Sequence, residues 1–302
     1  MTVMRVSVCI CTYKRSFVTE TIGSILAQKS IPLSDIEIIV CDDDPQGSAK
    51  ELVTVFVNTG PVRTRYILSG SQNVAICRNT CLLVAQGDWI AFIDDDEIAE
   101  PNWLTELLSA QAQFAAEVVK GFVKAIYPAT TPRWIRAGDP FTRDYGPTGS
   151  PASNLGTGNV LFSRSFAVSR GLTFNPRFGQ TGSEDSDFFR RFHRLGARII
   201  SSQSAIVNEI VPESRVQPSS LAHRFRRQGR THGSAFISKG MNITRLTAIG
   251  KAVIVVAVCA TYPLTKWLPQ IDVFRFRLFR SFWYHLGLLE GIAGRQPMSF
   301  ET

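Results

Sequence analysis

Trp89-Ile90-Ala91-Phe92-Ile93-Asp94-Asp95-Asp96-Glu97 decides how the rest of the chain reads. Five mostly apolar residues run directly into four consecutive carboxylates. The apolar half is short, aromatic or β-branched, and preceded by a Gly87-Asp88 turn, the pattern of a buried strand. The acidic half falls where that strand leaves the sheet at its carboxyl end, the edge at which open α/β sheets bind ligands. Adjacent acids at a buried strand end repel one another, and desolvation raises their pKa values. A divalent cation shared with a ligand's phosphates resolves the conflict, because Mg²⁺ or Mn²⁺ takes one or two carboxylates together with phosphate oxygens. The competing reading is a solvated acidic turn that caps the next helix, since Pro101-Asn102-Trp103 looks like a helix start.

Working outward towards the N-terminus, Val3 to Cys11 alternates as a strand and Phe17 to Gln28 has helical apolar spacing. Ile36 to Cys41 is a second strand ending in Asp42-Asp43-Asp44-Pro45, and Gly47 to Asn58 a second helix. Arg65 to Leu68 is a short strand, and Val74 to Ala85 a helix that leads into Trp89. This alternation predicts an α/β protein with a mostly parallel, doubly wound sheet. Neither G-x-G-x-x-G after the first strand nor G-x-x-x-x-G-K-[ST] anywhere is present, which argues against a dinucleotide-binding domain and a P-loop NTPase.

Towards the C-terminus, Pro101 to Ala115 is helical, Val118 to Tyr127 strand-like, and Pro128 to Asn154 a long loop, the kind that serves as a binding element or lid. Thr157 to Phe162 is a further strand. A Gly-rich loop, Phe174 to Asp187, carries Glu184, Asp185 and Asp187 into a helix from Phe188 to Leu195. Ser183 is placed to N-cap that helix with acids in its first turn; a catalytic loop is the other reading. Ala197 to Ile200 and Ala205 to Val207 read as two late strands.

The 302 residues suffice for one large or two small domains, and a 44% hydrophobic content supports a sizeable core. Charge is uneven. Residues 213–302 hold 13 Lys/Arg against 4 Asp/Glu, while the preceding 212 hold 20 against 21. We therefore divide the chain into 1–215 and a basic helical extension, 216–302. In the extension Leu221 to His232 is a basic helix, and the apolar run Ala252 to Thr265 is shorter than the ~20 residues that span a bilayer. Phe274 to Leu289 interleaves arginines with aromatics, a composition suited to a membrane interface or to a packed helical hairpin with a solvated basic face. The six cysteines form no CxxC pair and read as buried reduced thiols of a cytosolic protein. The N-terminus leads straight into a strand, so no signal peptide is expected.

Three acidic clusters, Asp42–Asp44, Asp94–Glu97 and Glu184–Asp187, stand with Thr12, Arg78 and Asn79 as a set suited to a nucleotide-sugar site. An early Asp accepts hydrogen bonds from a base, a central pair holds a metal on a diphosphate, and a late carboxylate deprotonates a hydroxyl. In order, VSVCICTYKR (6–15), IEIIVCDDD (36–44), NVAICRNTCLLVAQGDWIAFIDDDE (73–97) and GSEDSDFFRRF (182–192) resemble the inverting family-2 glycosyltransferases of the GT-A fold. The likeness covers about residues 4–235. It implies that Thr12 and Asp42 contact the nucleotide base and that Arg78 and Asn79 lie against ribose and diphosphate. Arg15, Asp94 and Asp95 complete the donor set. Asp94 and Asp96 are the implied metal pair with Asp96 the leading ligand, and Asp185, beside Glu184, is the implied general base. Related enzymes carry a His in the context His-x-x-Val-Pro-Glu; here Asn208 stands there, with His232 the other candidate for that ligand.

The resemblance further implies a UDP-sugar donor, a Mg²⁺ or Mn²⁺ cofactor and an inverting hexosyl transfer to a lipid-linked saccharide. The setting it implies is exopolysaccharide or other cell-surface glycan synthesis at the cytoplasmic face of the inner membrane, with no nucleic-acid partner. A nucleotidyltransferase would need a Gly-rich loop where Thr12-Tyr13-Lys14-Arg15 has none. A processive polysaccharide synthase would need long apolar spans and a Q-x-x-R-W motif, and neither is present. A nucleic-acid binder using the Arg-aromatic stretch 215–285 leaves the acidic clusters unexplained.

Overall fold

The computed structural model describes residues 6–153, 155–180, 182–238, 243–260, 263 and 271–294. The start of the first expected strand (3–5) and parts of the apolar run (261, 262, 264 and 265) lie outside them. The chain forms two compact units, Met1–Ala125 with Thr142–Ile210, and Ile126–Phe141 with Val211–Thr302.

The first unit opens with β1 (Val6–Thr12), α1 (Val18–Leu26), β2 (Ile36–Asp42), α2 (Lys50–Thr59), β3 (Arg63–Leu68), α3 (Val74–Val84) and β4 (Trp89–Phe92). There follow β5 (Glu97–Ala99), α4 (Trp103–Phe114) and β6 (Val118–Ile126). Beyond α5 (Arg133–Gly138), which belongs to the second unit, come β7 (Val160–Ser163), α6 (Arg164–Ser169), α7 (Glu184–Arg194) and β8 (Ile199–Ile210). The eight strands form one sheet in the order β3-β2-β1-β4-β7-β6-β8-β5. The α/β class expected from the sequence holds, and the first four strands are parallel as expected. The other half pairs antiparallel, β4 with β7, β7 with β6 and β5 with β8, so the sheet as a whole is mixed.

β1 and β2 are buried almost throughout, as parallel strands covered on both faces must be. Their alternate side chains enter two cores: Val6, Val8 and Ile10 join Trp103 and Leu107 on one face, while Cys9, Ile39 and Cys41 join Phe92, Phe162 and Phe188 on the other. All six cysteines are free thiols and five of them are buried. Register aligns Thr12 with Asp42, and the Ile93 amide donates to the Cys9 carbonyl. The exits of β1, β2 and β4 therefore lie together on one edge.

Several elements depart from the sequence pattern. β5 begins inside the acidic run at Glu97. Helix α7 begins at Glu184, so the acids occupy its first turn rather than the loop before it. Ser183 sits at its N-cap with φ +81° and makes no capping hydrogen bond through its side chain. β8 is one strand, because Gln203 and Ser204 are exposed positions on it and not a break. The expected long loop contains α5 and is pinned to the sheet at Val123–Arg143 and Pro151–Ile200.

The second unit adds α8 (Pro218–Ser238), α9 (Ile243–Cys259) and α10 (Asp272–Ile292). Gly229 and Gly233 on α8 face Gly287 and Gly291 on α10, where a Cβ on any of the four would run into the opposite backbone. Glu290 accepts from Arg226 and from Arg230 (2.6 Å) across this contact. Hydrogen bonding from Arg226 pulls the Glu290 pKa down to about 2. Trp134 of α5 packs on Phe279 and Phe276 at centroid distances of 5.1 and 6.1 Å. Among the described residues, no helix is long and apolar enough to cross a membrane.

Candidate active site

The four acids after β4 turn in different directions. Asp95 is buried, accepting from the Thr12 hydroxyl at 2.7 Å and from Arg15 at 2.8 Å. Burial pushes its pKa up to about 6, against the pull of Arg15. Asp96 accepts from the same Arg15 nitrogen at 2.7 Å. Glu97 turns inward, where it accepts from the Asp94 amide (3.0 Å) and from Arg143 (3.1 Å). Arg143 also donates to Glu209 at 2.8 Å. Burial first, then Asp94, raises the Glu97 pKa. The counter-charge that such a run requires is thus supplied in large part by Arg15 and Arg143. Asp94 lines a cleft of about 250 Å³.

At the start of α7 the acids separate in the same way. Glu184 is buried and paired with Arg78, and its other oxygen is buried without a hydrogen bond among the described residues. Asp187 pairs with Arg191 one turn on, at 2.9 Å. Asp185 faces the cleft, accepting from the Ser186 amide at 2.6 Å. Three acids in a first turn also suit the helix dipole, so capping and catalysis are compatible readings of this segment.

Of the residues singled out in the sequence, Arg78, Asp94 and Asp185 meet in the cleft. Thr12, Arg15, Asp95 and Asp96 form a linked group at the strand exits. Two others have their side chains engaged by protein. Asp42 is fully buried, its oxygens taking the Asp44 amide (3.0 Å), the Ala49 amide (2.8 Å) and the Tyr66 hydroxyl (3.0 Å). Asn79 exchanges two hydrogen bonds with the Phe174 backbone, at 2.8 and 2.7 Å. Asn208 donates to Glu100 at 2.6 Å, and the inward-facing residue of that stretch of β8 is Glu209. His232 lies 2.8 Å from the Tyr284 hydroxyl within the second unit.

The sequence did not single out Lys120 or Arg143, which line the cleft with Tyr145 and the Gly156-Thr157-Gly158 strap. Lys120 is 1% exposed, and burial together with Arg143 lowers its pKa. The one sequence signal for this wall is the pair of glycines at 156 and 158, each of which abuts a cleft carboxylate. Among the described residues, no group of three or more His, Cys, Asp or Glu is arranged to hold a metal.

The chain is a mixed α/β sheet with carboxylates gathered at its strand exits, and comparison with known proteins shows its family. Residues 7–169, more than half of the chain, match the family model for Glycosyl transferase family 2. The chain is 34% identical over 292 residues to the succinoglycan biosynthesis protein ExoM of Rhizobium meliloti, covering 96% of this chain and 94% of that protein. It is 28% identical over 246 residues to the glucosyl-dolichyl phosphate glucuronosyltransferase of Haloferax volcanii, covering 75% of each. In fold it is similar to Staphylococcus aureus TarS 1-349, crystallised in complex with UDP-GlcNAc, with a TM-score of 0.58 at 17% identity. That likeness covers 97% of this chain and 93% of TarS 1-349. The protein belongs to glycosyl transferase family 2 and is a glycosyltransferase. Neither the nucleotidyltransferase nor the nucleic-acid reading is favoured.

Proposed function

We propose that the protein transfers a hexose from a UDP-sugar to a hydroxyl of a lipid-linked saccharide, with inversion at the anomeric carbon. The observation that carries this reading is that Asp94 and Asp185 share one cleft with Arg78. Two comparisons support it: ExoM is named for succinoglycan biosynthesis, and TarS was crystallised with UDP and with UDP-GlcNAc. Asp185 accepts the proton of the acceptor hydroxyl as that oxygen attacks the anomeric carbon. The new C–O bond forms on the face opposite the breaking bond to the diphosphate, and the nucleoside diphosphate leaves. An α-linked donor then gives a β-linked product. Arg78, itself balanced by Glu184, supplies a fixed positive charge beside the departing phosphates.

Asp94 on the cleft would hold a divalent cation, Mg²⁺ or Mn²⁺, with Asp96, whose carboxylate accepts from Arg15 in this structure, as the second ligand. This all-oxygen donor set suits a hard ion completed by phosphate oxygens. Such an ion, when bound, offsets charge on the leaving diphosphate. We place Thr12 and Asp42 on the base side of the site, with Asp42 acting through the turn it holds.

The second unit suits a role at the inner face of the cytoplasmic membrane. It is basic and exposes Val253, Ile254, Val273 and Phe274. An apolar surface flanked by Lys and Arg is attracted to anionic lipid. We assign transfer to the unit Met1–Ala125 with Thr142–Ile210, and membrane contact to the basic extension 216–302, which lies in the second unit together with Ile126–Phe141.

The test is UDP release from a panel of UDP-sugars with Mg²⁺ or Mn²⁺ and an EDTA control. One donor is expected to be hydrolysed slowly, with metal dependence and loss of activity in Asp96→Ala. Release of pyrophosphate in place of UDP would contradict the reading.

A further inference from the structure

Lys120 is a buried cation in the cleft to which the reaction above assigns nothing. Its ammonium donates to the Gly156 carbonyl at 3.1 Å and to the Gly158 carbonyl, and it lies 5.4 Å from the centroid of the Tyr145 ring. A lysine is rarely this buried, because removing an ammonium from water is costly unless charges and acceptors receive it. Here they come from several elements: Asp94 after β4, Glu97 on β5 and Asp185 on α7, with Arg143 opposing.

The strap that Lys120 grips touches both reacting sides of the cleft. A Cβ on Gly156 would lie 3.2 Å from Asp185 Oδ2. One on Gly158 would lie 2.6 Å from Asp94 Oδ2 and 2.9 Å from Glu97 Oε1. The donor-side carboxylate and the acceptor-side carboxylate are therefore in near contact with opposite ends of a three-residue segment. Lys120, itself lining the cleft, donates to the carbonyls at both ends of that segment.

We infer that Lys120 is a positioning residue for the transfer: clamped on the Gly156 and Gly158 carbonyls, it sets Asp185 relative to Asp94 across the strap. The inference rests on the reading of Asp185 as the base. If the clamp sets geometry, loosening it impairs the chemical step while leaving nucleotide binding in place. A misplacement of about 1 Å costs on the order of 10²-fold in rate.

The experiment measures kcat and donor KM by UDP release, UDP affinity by calorimetry, and thermal melting. The full-length proteins compared are wild type, Lys120→Met, Gly156→Ala and Asp185→Asn. Lys120→Met is expected to lose about 10²-fold in kcat, with donor KM and UDP affinity unchanged. Gly156→Ala, whose new methyl meets only Asp185, is expected to lose kcat in the same pattern. Equal loss of kcat and UDP affinity in Lys120→Met would mark a purely structural lysine and overturn the inference. So would a folded, fully active Lys120→Met beside an inactive Asp185→Asn. Should Lys120→Met fail to melt cooperatively, Gly156→Ala decides, and wild-type kcat there overturns the inference. An active Asp185→Asn would instead overturn the base assignment on which it rests.

Discussion

The acidic run after β4 and the basic helices of the second unit pose one problem with opposite sign. In each, like charges are crowded on a short stretch, and in each the chain answers with partners from far away in sequence. Arg15 and Arg143 take up Asp95, Asp96 and Glu97. Glu290 takes up Arg226 and Arg230, while Arg215 and Arg224 lie 4.7 and 4.5 Å from the Phe141 ring centroid and Arg275 lies 4.8 Å from that of Trp134. What is left over differs. In the first region, among the described residues, the acid not taken up by these two arginines is Asp94, on a cleft that also holds Asp185 and Lys120. In the second it is apolar surface at Val253, Ile254, Val273 and Phe274. A charged run in a sequence thus marks a site only through what its own partners leave unmatched.

The sharpest break of this comparison is Asp94→Asn. It is expected to reduce turnover by about 10²- to 10³-fold, the several kcal/mol that charge stabilisation of a leaving group supplies. The melting temperature should stay near wild type, since Asp94 faces the cleft. A large loss of stability with little loss of rate would make Asp94 a structural acid like its neighbours.

Glu290→Gln tests the other region. Removing one partner of a buried pair costs ~3–5 kcal/mol, and the partial exposure of Arg226 brings the expected loss to about 2 kcal/mol. The sign with pH follows from a carboxylate held below its ordinary value. Its contribution is complete above pH 4.5 and fades as pH falls towards about 2. Wild type and variant should therefore converge in acid, and denaturant unfolding at pH 7 and pH 3 measures this.

Arg15→Met removes a counter-ion from the acidic run, with an expected cost of about 1 kcal/mol because the guanidinium is half exposed. Asp95 has a raised pKa of about 6, so the folded state binds its proton more tightly than the unfolded state. That group lowers stability as pH rises from about 4 to 6, and without Arg15 the penalty extends to higher pH. The melting-temperature deficit of Arg15→Met should be larger at pH 8 than at pH 5. Val273→Glu with Phe274→Glu should change the fold least, by about 0.5 kcal/mol or less, as exposed substitutions do. It should nonetheless reduce co-sedimentation with anionic vesicles. Unaltered sedimentation would remove these residues from the membrane contact.

Much of this was legible in the sequence where burial is uniform. Ile36 to Cys41 is apolar but for Glu37, which is itself buried and paired with Arg65, because a central parallel strand is covered on both faces. The pattern failed where a tertiary partner decides. Glu97 reads as the last of four acids at a strand exit, yet it starts β5 because Arg143, 46 residues later, meets it inside. Lys120 resembles Lys124 in sequence, but only Lys120 is buried, and its acceptors lie on the strap. Asp42 carries the family spacing of a base contact, while its oxygens hold the turn after β2. Asn208 occupies the position expected of a ligand, but the alternation of β8 brings Glu209 inward in its place.

UDP release by Asp185→Asn, measured beside its affinity for UDP, tests the central claim most directly. A loss of at least about 10²-fold in turnover with unchanged UDP affinity is the predicted result, the low end for removal of a positioned base. Full turnover in Asp185→Asn would show that the proton is taken elsewhere and would contradict the account.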